Sequence, residues 1–157
     1  MAVKLILDLD TGIDDALAIA YALGSPELEL IGVTCTYGNV TTELAVRNSL
    51  AVLALLGRTD IPVFAGQACA SCADSFEPSP LVRRIHGDNG LGGVRIPDSP
   101  RPAEQGGAVD FIVESARRHG ADLVYVPPGS STNIAAAFGA DPSLADRLRV
   151  VMMGGAL

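Results

Sequence analysis

An α/β fold, with a Rossmann-like, mainly parallel open sheet and flanking helices, is predicted from three features of the sequence. Short β-branched and aliphatic runs alternate with helix-length stretches, the rhythm of βαβ units. The first such run, VKLILDL, reads as a buried strand. Polar residues then recur just beyond the ends of the strand-like runs, where open α/β sheets form their ligand crevice.

Taken in order, residues 3–9 form the first predicted strand. Residues 14–23 carry Ala, Leu and Ile at helical spacing, and Gly24-Ser25-Pro26 stops them. A second strand is expected over 28–36, ending at Tyr37-Gly38-Asn39. Thr41 or Thr42 can cap a long helix that runs to residue 56, with Gly57 beyond its end. Residues 61–65 read as a short third strand. From 66 to 107 the rhythm breaks into a proline- and glycine-rich stretch without periodicity, expected to be a long functional loop or lid. Helix returns over 108–119 and ends at Gly120. A fourth strand follows over 122–126, closed by Pro127-Pro128-Gly129. Ser131 or Thr132 opens another helix to residue 138, and Asp141-Pro142-Ser143 starts a helical turn. Residues 149–153 read as a fifth strand that would be an exposed pairing template at a sheet edge. No repeat or linker divides the chain, so 1–157 is expected to form a single domain.

Composition narrows the function. The chain is 48% hydrophobic and 18% charged, a balance suited to a folded core. Its formal net charge is −7, from 18 acidic residues against 11 Lys plus Arg, and no basic stripe or aromatic platform is visible. A nucleic-acid polymer is therefore not the expected partner. No apolar run approaches membrane-spanning length, and residues 3–7 are too short for a signal core, so no membrane association and a cytoplasmic location are expected. Cys35, Cys69 and Cys72 make no disulfide framework. Cys69 and Cys72 match C-x-x-C, but no second pair completes a zinc site.

Asp8, Asp10, Asp14 and Asp15 fall within the segment DLDTGIDD, directly after the first strand. Crowded carboxylates destabilise a fold unless a cation neutralises them. A hard-metal site at the tip of the first strand is the natural reading. A helix-capping acid cluster is the plainer alternative for Asp10 and Asp15, and Asp14 also complements the following helix N-terminus. Asn39 suits a turn after Gly38. His86 lies in a Gly-rich loop as pocket residue or loop anchor. His119, beside Gly120, suits the helix C-terminal dipole, and Asn133 reads as a turn or cap residue.

The run DLDTGIDDALAIAYAL resembles the N-terminal signature of the inosine-uridine nucleoside hydrolase family, D-x-D-x-G-x-D-D-A. The likeness continues through TCTYGNV, RNSLAVLALLG, IPVFAG, HGDNGLGG, PPGSSTNIA and VVMMGGA, in the family's order. The resemblance implies hydrolysis of the N-glycosidic bond of ribonucleosides to free base and ribose, with bound calcium (Ca2+). It implies that Asp10, Asp15 and the Pro128 backbone carbonyl are calcium ligands. The family more often has another residue where Pro128 stands, but proline retains its C=O. Asp10 would also be the catalytic base that deprotonates the attacking water. Asp14 and Asn39 would contact ribose hydroxyls, His86 would approach the substrate, and Asp8 would support the site.

The resemblance covers only the N-terminal part of the family's chains. The rest would supply an Asn/Glu-rich ribose-binding segment and a later His-Asp pair, so a weakly active or inactive chain is expected on its own. An inactive remnant, a chain that needs a companion polypeptide, and a homo-oligomer are the corresponding alternatives. LILDLDTG also fits the opening of haloacid-dehalogenase-like phosphatases, with Asp8 as nucleophile. However, Gly12 replaces that family's Thr or Val, and Lys4 is the only lysine.

Overall fold

The computed structural model describes residues 2–154. Five strands, β1 (Val3–Leu9), β2 (Leu28–Cys35), β3 (Val63–Ala65), β4 (Leu123–Val126) and β5 (Arg149–Val150), form one sheet in the order β3-β2-β1-β4-β5. Every adjacent pair is parallel. The helices are α1 (Ile13–Gly24), α2 (Thr42–Leu55), α3 (Pro80–His86), α4 (Ala108–His119) and α5 (Thr132–Ala140). A 3-10 turn, Pro142–Asp146, leads into β5.

β1 sits at the centre of the sheet, and its alternation divides the core. Leu5, Leu7 and Leu9 join Ile19 and Ala22 of α1 and Ala45, Val52 and Leu53 of α2. Ile6 points the other way, into a second cluster with Ile112 and Ala116 of α4, Tyr125 of β4 and Ile134 and Ala137 of α5. Period-two alternation in a strand covered on both faces makes both sets apolar. The same parity sends Asp8 toward the Ile6 face, where it is fully buried.

Three elements differ from the sequence expectation. The segment 66–107 contains α3, where Ser79 accepts a hydrogen bond from the Val82 N–H at 3.3 Å and Pro80 occupies the first turn. Ser-Pro is a helix-start signal, and the surrounding glycines and prolines masked it. β3 begins at Val63 rather than residue 61, since Pro62 has no N–H for a ladder; its carbonyl still accepts from the Val33 N–H at 2.9 Å. β5 is confined to Arg149–Val150 instead of 149–153. Single backbone bonds from Val151 to the Tyr125 carbonyl (3.0 Å) and from Met153 to the Pro127 carbonyl (3.4 Å) carry the parallel pairing onward.

Candidate active site

The acids of the β1–α1 turn do not share one environment. Asp10 and Asp15 are buried, at 7% and 2% exposure, whereas the Asp14 side chain is 67% exposed. Asp15 lies in the first turn of α1 and accepts from the Gly12 N–H at 2.9 Å, so it caps the helix that carries it. Asp10 accepts from the Asn39 N–H at 2.5 Å, and the Asn39 side-chain amide reaches Asp15 at 3.5 Å. The β2 loop thus closes over both acids. Burial, followed by the charge of Asp10, pushes the Asp15 carboxyl up to about 7.

The surrounding backbone is built to approach Asp10. A Cβ on Gly129, after β4, would stand 2.8 Å from Asp10 Oδ1, and a Cβ on Gly38 would collide with the same carboxylate. Pro128 precedes Gly129, so its carbonyl belongs to the loop that abuts Asp10. Thr36 and Ser130 join the β2 and β4 loops through their hydroxyls, and Tyr37 Oη and Thr132 Oγ1 meet at 2.8 Å.

α3 brings His86 to the rim. Its Nδ1 accepts from the Ile13 N–H at 3.3 Å and lies 3.8 Å from Asp14 Oδ1. A Cβ on Gly12 would stand 2.6 Å from both His86 Nδ1 and Asn39 Nδ2, so a glycine is required where these side chains converge. The loop after α3 is pinned by Asn48, whose side-chain amide donates to the Asn89 carbonyl at 2.8 Å and the Thr11 carbonyl at 3.2 Å.

Asp8 lies beneath the crevice rather than in it. Its Oδ1 accepts from Thr34 Oγ1 at 2.7 Å and Asn133 Nδ2 at 2.8 Å. Asn133 also donates to the Cys35 carbonyl at 3.0 Å and accepts from the Gln67 N–H at 2.8 Å. Asp8 Oδ2 and the Tyr125 hydroxyl are buried without a well-formed hydrogen bond. Desolvation pushes Asp8 up to about 6, against the lowering effects of Tyr125, Thr34 and Asn133. A fully buried Asp8 is out of reach of a phosphate ester, which removes the geometric basis for a phosphatase nucleophile. Asn133 is a buried junction rather than a simple turn residue; Asn48 and Thr34 likewise carried no sequence signal beyond polarity in a buried element.

Oxygen donors of this type, two buried carboxylates beside a backbone loop, fit a hard divalent cation. Among the described residues, no three His, Cys, Asp or Glu side chains converge on one point. The fit is that of a partial coordination shell.

A parallel α/β sheet with buried acids at the carboxyl end of its central strand defines the class. The model of the inosine-uridine preferring nucleoside hydrolase family matches residues 5–157, and the chain belongs to this family. It is 41% identical, over 98% of its own length, to probable uridine nucleosidase 2 of Arabidopsis thaliana, covering 47% of that chain. It is 37% identical to the pyrimidine-specific ribonucleoside hydrolase RihA of Escherichia coli, covering 50% of it. The solved structure of a purine-preferring ribonucleoside hydrolase from Gardnerella vaginalis superposes with a TM-score of 0.95 at 60% identity, over 98% of this chain and 49% of that one. The chain therefore spans about half the length of these relatives. No helix among the described residues is long and apolar enough to cross a membrane.

Proposed function

We propose that this chain carries the cation- and ribose-binding half-site of a ribonucleoside N-glycosidase, an enzyme that releases free base and ribose. The observation that carries the reading is the buried Asp10–Asp15 pair, closed over by Asn39 at the carboxyl end of β1. Asp10, Asp15 and the Pro128 carbonyl would hold a divalent cation, calcium by family resemblance, which supplies charge neutralisation and oxygen ligation for ribose hydroxyls.

The chain's own residues then have distinct tasks. Asp10 takes the proton of the attacking water, a contribution typically of about 10²–10⁴-fold for a positioned base. As the base departs, positive charge develops on the ribosyl ring, as in other glycoside hydrolysis. The acids beneath the ring favour that charge. Asp14, at the exposed rim, and Asn39 hydrogen-bond ribose hydroxyls. His86, beside Asp14, closes the rim above α1. Asp8 supports the site from below. Relatives with opposite names, purine-preferring and pyrimidine-specific, match the same half over nearly its full length. That pattern supports placing base selection outside the features these halves share.

Calorimetric titration of the purified chain with calcium tests the reading, alongside ribose release from several nucleosides. Calcium binding that is lost in Asp15→Asn, with little ribose release by the 157-residue polypeptide alone, is expected. Absence of calcium binding would overturn the half-site. Turnover abolished by Asp10→Asn would replace it with a complete active site.

A further inference from the structure

His86 reaches the rim of the crevice from a segment that is anchored elsewhere. Its Nδ1 accepts from the Ile13 N–H at 3.3 Å, one of the amides that the start of α1 leaves without an intrahelical partner. The His86 carbonyl accepts from the Gly92 N–H at 2.7 Å. Between these two residues the chain turns on Asn89. Its Oδ1 accepts from the Leu91 N–H at 3.0 Å and the Gly93 N–H at 2.9 Å, and its Nδ2 donates to the Val94 carbonyl at 2.8 Å. Segment 86–94 is therefore one hydrogen-bonded unit, and where it sits decides where the imidazole sits.

Asn48, fully buried on α2, fixes that unit to the acid turn. Its Nδ2 donates to the Asn89 carbonyl and to the Thr11 carbonyl, so its amide must present the NH2 group to both. Arg47 Nη1 donates to Asn48 Oδ1 at 3.2 Å. A guanidinium is a donor only, so this contact holds the amide in the orientation that the two carbonyls require. The same guanidinium donates to the Ile96 carbonyl at 2.7 Å and to Asp98 Oδ1 at 2.8 Å. Arg47 thus grips the chain just past the unit and, through Asn48, the unit itself. A planar fork with several donors suits this task better than the point charge of a lysine.

We propose that Arg47 and Asn48 are positioning residues for His86: acting through segment 86–98, they hold its imidazole over Gly12 and beside Asp14 at the mouth of the crevice. The Arg47–Asp98 ion pair is not what carries this role. The Asp98 side chain is 79% exposed, and an ion pair so placed contributes little. The orientation of the Asn48 amide and the grip on the Ile96 carbonyl do the positioning. The functional meaning rests on the half-site reading, in which His86 closes the rim. The placement itself needs neither cation nor substrate, so it is read without them.

The chain holds two histidines, His86 and His119, so their ring resonances are readily followed by NMR in the calcium-free protein at one pH, with His119→Gln for assignment. Exchange of the Ile13 amide with solvent is measured alongside. Arg47→Met should move the His86 resonance toward its unstructured position and speed Ile13 exchange by about tenfold, as expected when a segment opens locally. His119, on α4, should not move. Arg47→Lys should restore the parent values only in part. Asp98→Asn weakens the ion pair and keeps the other two Arg47 contacts, so it should leave both readouts unchanged. Asn48→Asp turns an oxygen toward the Asn89 and Thr11 carbonyls and should displace His86 at least as far as Arg47→Met. Circular dichroism checks the fold; if Asn48→Asp does not fold, Arg47→Met, at a side chain 36% exposed, still decides the matter. The proposal is overturned if His86 and Ile13 in Arg47→Met match the parent, if Asp98→Asn moves them equally, or if both histidines move together. Loss of calcium binding by the parent chain, with His86 responding as expected, would overturn the half-site reading and leave the positioning role standing.

Discussion

Asn133 Nδ2 donates to Asp8 Oδ1 at 2.8 Å, joining two fully buried residues 125 positions apart in the chain. The same side chain holds the Cys35 carbonyl and the Gln67 N–H. One amide therefore ties α5 to the ends of β1 and β2 and to the segment after β3, directly under the crevice. Replacement by Ala removes one of the two side-chain donors to the buried Asp8 Oδ1 and takes the Asn133 side chain away from the Cys35 carbonyl and the Gln67 N–H. Asn133→Ala should lose about 3–5 kcal/mol of stability, measured by urea unfolding. A loss below about 1 kcal/mol would show that the junction is dispensable.

Burial of Asp15 and Asp8 makes stability fall as pH rises in the absence of a divalent cation. Asp15 and Asp8 are raised from 3.8 to about 7 and about 6, chiefly by burial. Between about pH 4 and 7 the folded chain retains protons that the unfolded chain has lost, so the unfolded state binds fewer and stability declines. The exposed Asp60 and Asp141 are shifted downward, so their contributions lie below this window. Thermal unfolding midpoints in chelator should drop from about pH 5 to about pH 8, by roughly 2–4 °C per kcal/mol. Millimolar calcium should reverse the drop at the upper pH. A midpoint that rises with pH in chelator would contradict this electrostatic account.

Asp15→Asn separates stability from binding. It removes a buried charge beside Asp10 while keeping a carbonyl oxygen that can accept from the Gly12 N–H. In chelator at about pH 8 the variant should unfold at a higher temperature than the parent, and calcium should add nothing. Stabilisation of the variant by calcium equal to that of the parent would remove Asp15 from the ligand set.

Gly129 tests the close approach of the β4 loop to Asp10. A methyl group there stands 2.8 Å from Asp10 Oδ1, so the carboxylate or the loop must move. Gly129→Ala should weaken calcium binding by about 10–100-fold, the range seen when groups that orient metal ligands are disturbed. Unchanged affinity by calorimetry would place the cation away from this side of Asp10.

Gly90 combines a left-handed backbone, φ +76°, with contact against Val40; an added Cβ would lie 2.6 Å from Val40 Cγ1. Gly90→Ala should cost about 1–3 kcal/mol in urea unfolding through overpacking and backbone strain. The same urea titration run on Gly93→Ala, where no atom lies within 4 Å although φ is +80°, isolates the backbone part. Equal losses in the two variants would deny the packing component.

Much of the architecture was legible because local signals agreed with the global fold. The alternation of VKLILDL, the caps around α2 and α4 and the Gly-Pro breaks all report short-range physics, and the elements they mark are present. α3 was hidden because its helix-start signal, Ser79-Pro80, lay in a segment whose composition reads as loop. At the acid cluster, the sequence by itself determined the residue types, their order and the end of the strand that carries them. Only the tertiary structure separated their environments: Asp10 and Asp15 buried under Asn39, Asp14 at the rim with His86, and Asp8 sunk beneath with Asn133. Sequence spacing sets which side of a strand a carboxylate faces. Whether it meets solvent, a second acid or an amide 125 positions away depends on non-local packing, which no local pattern encodes.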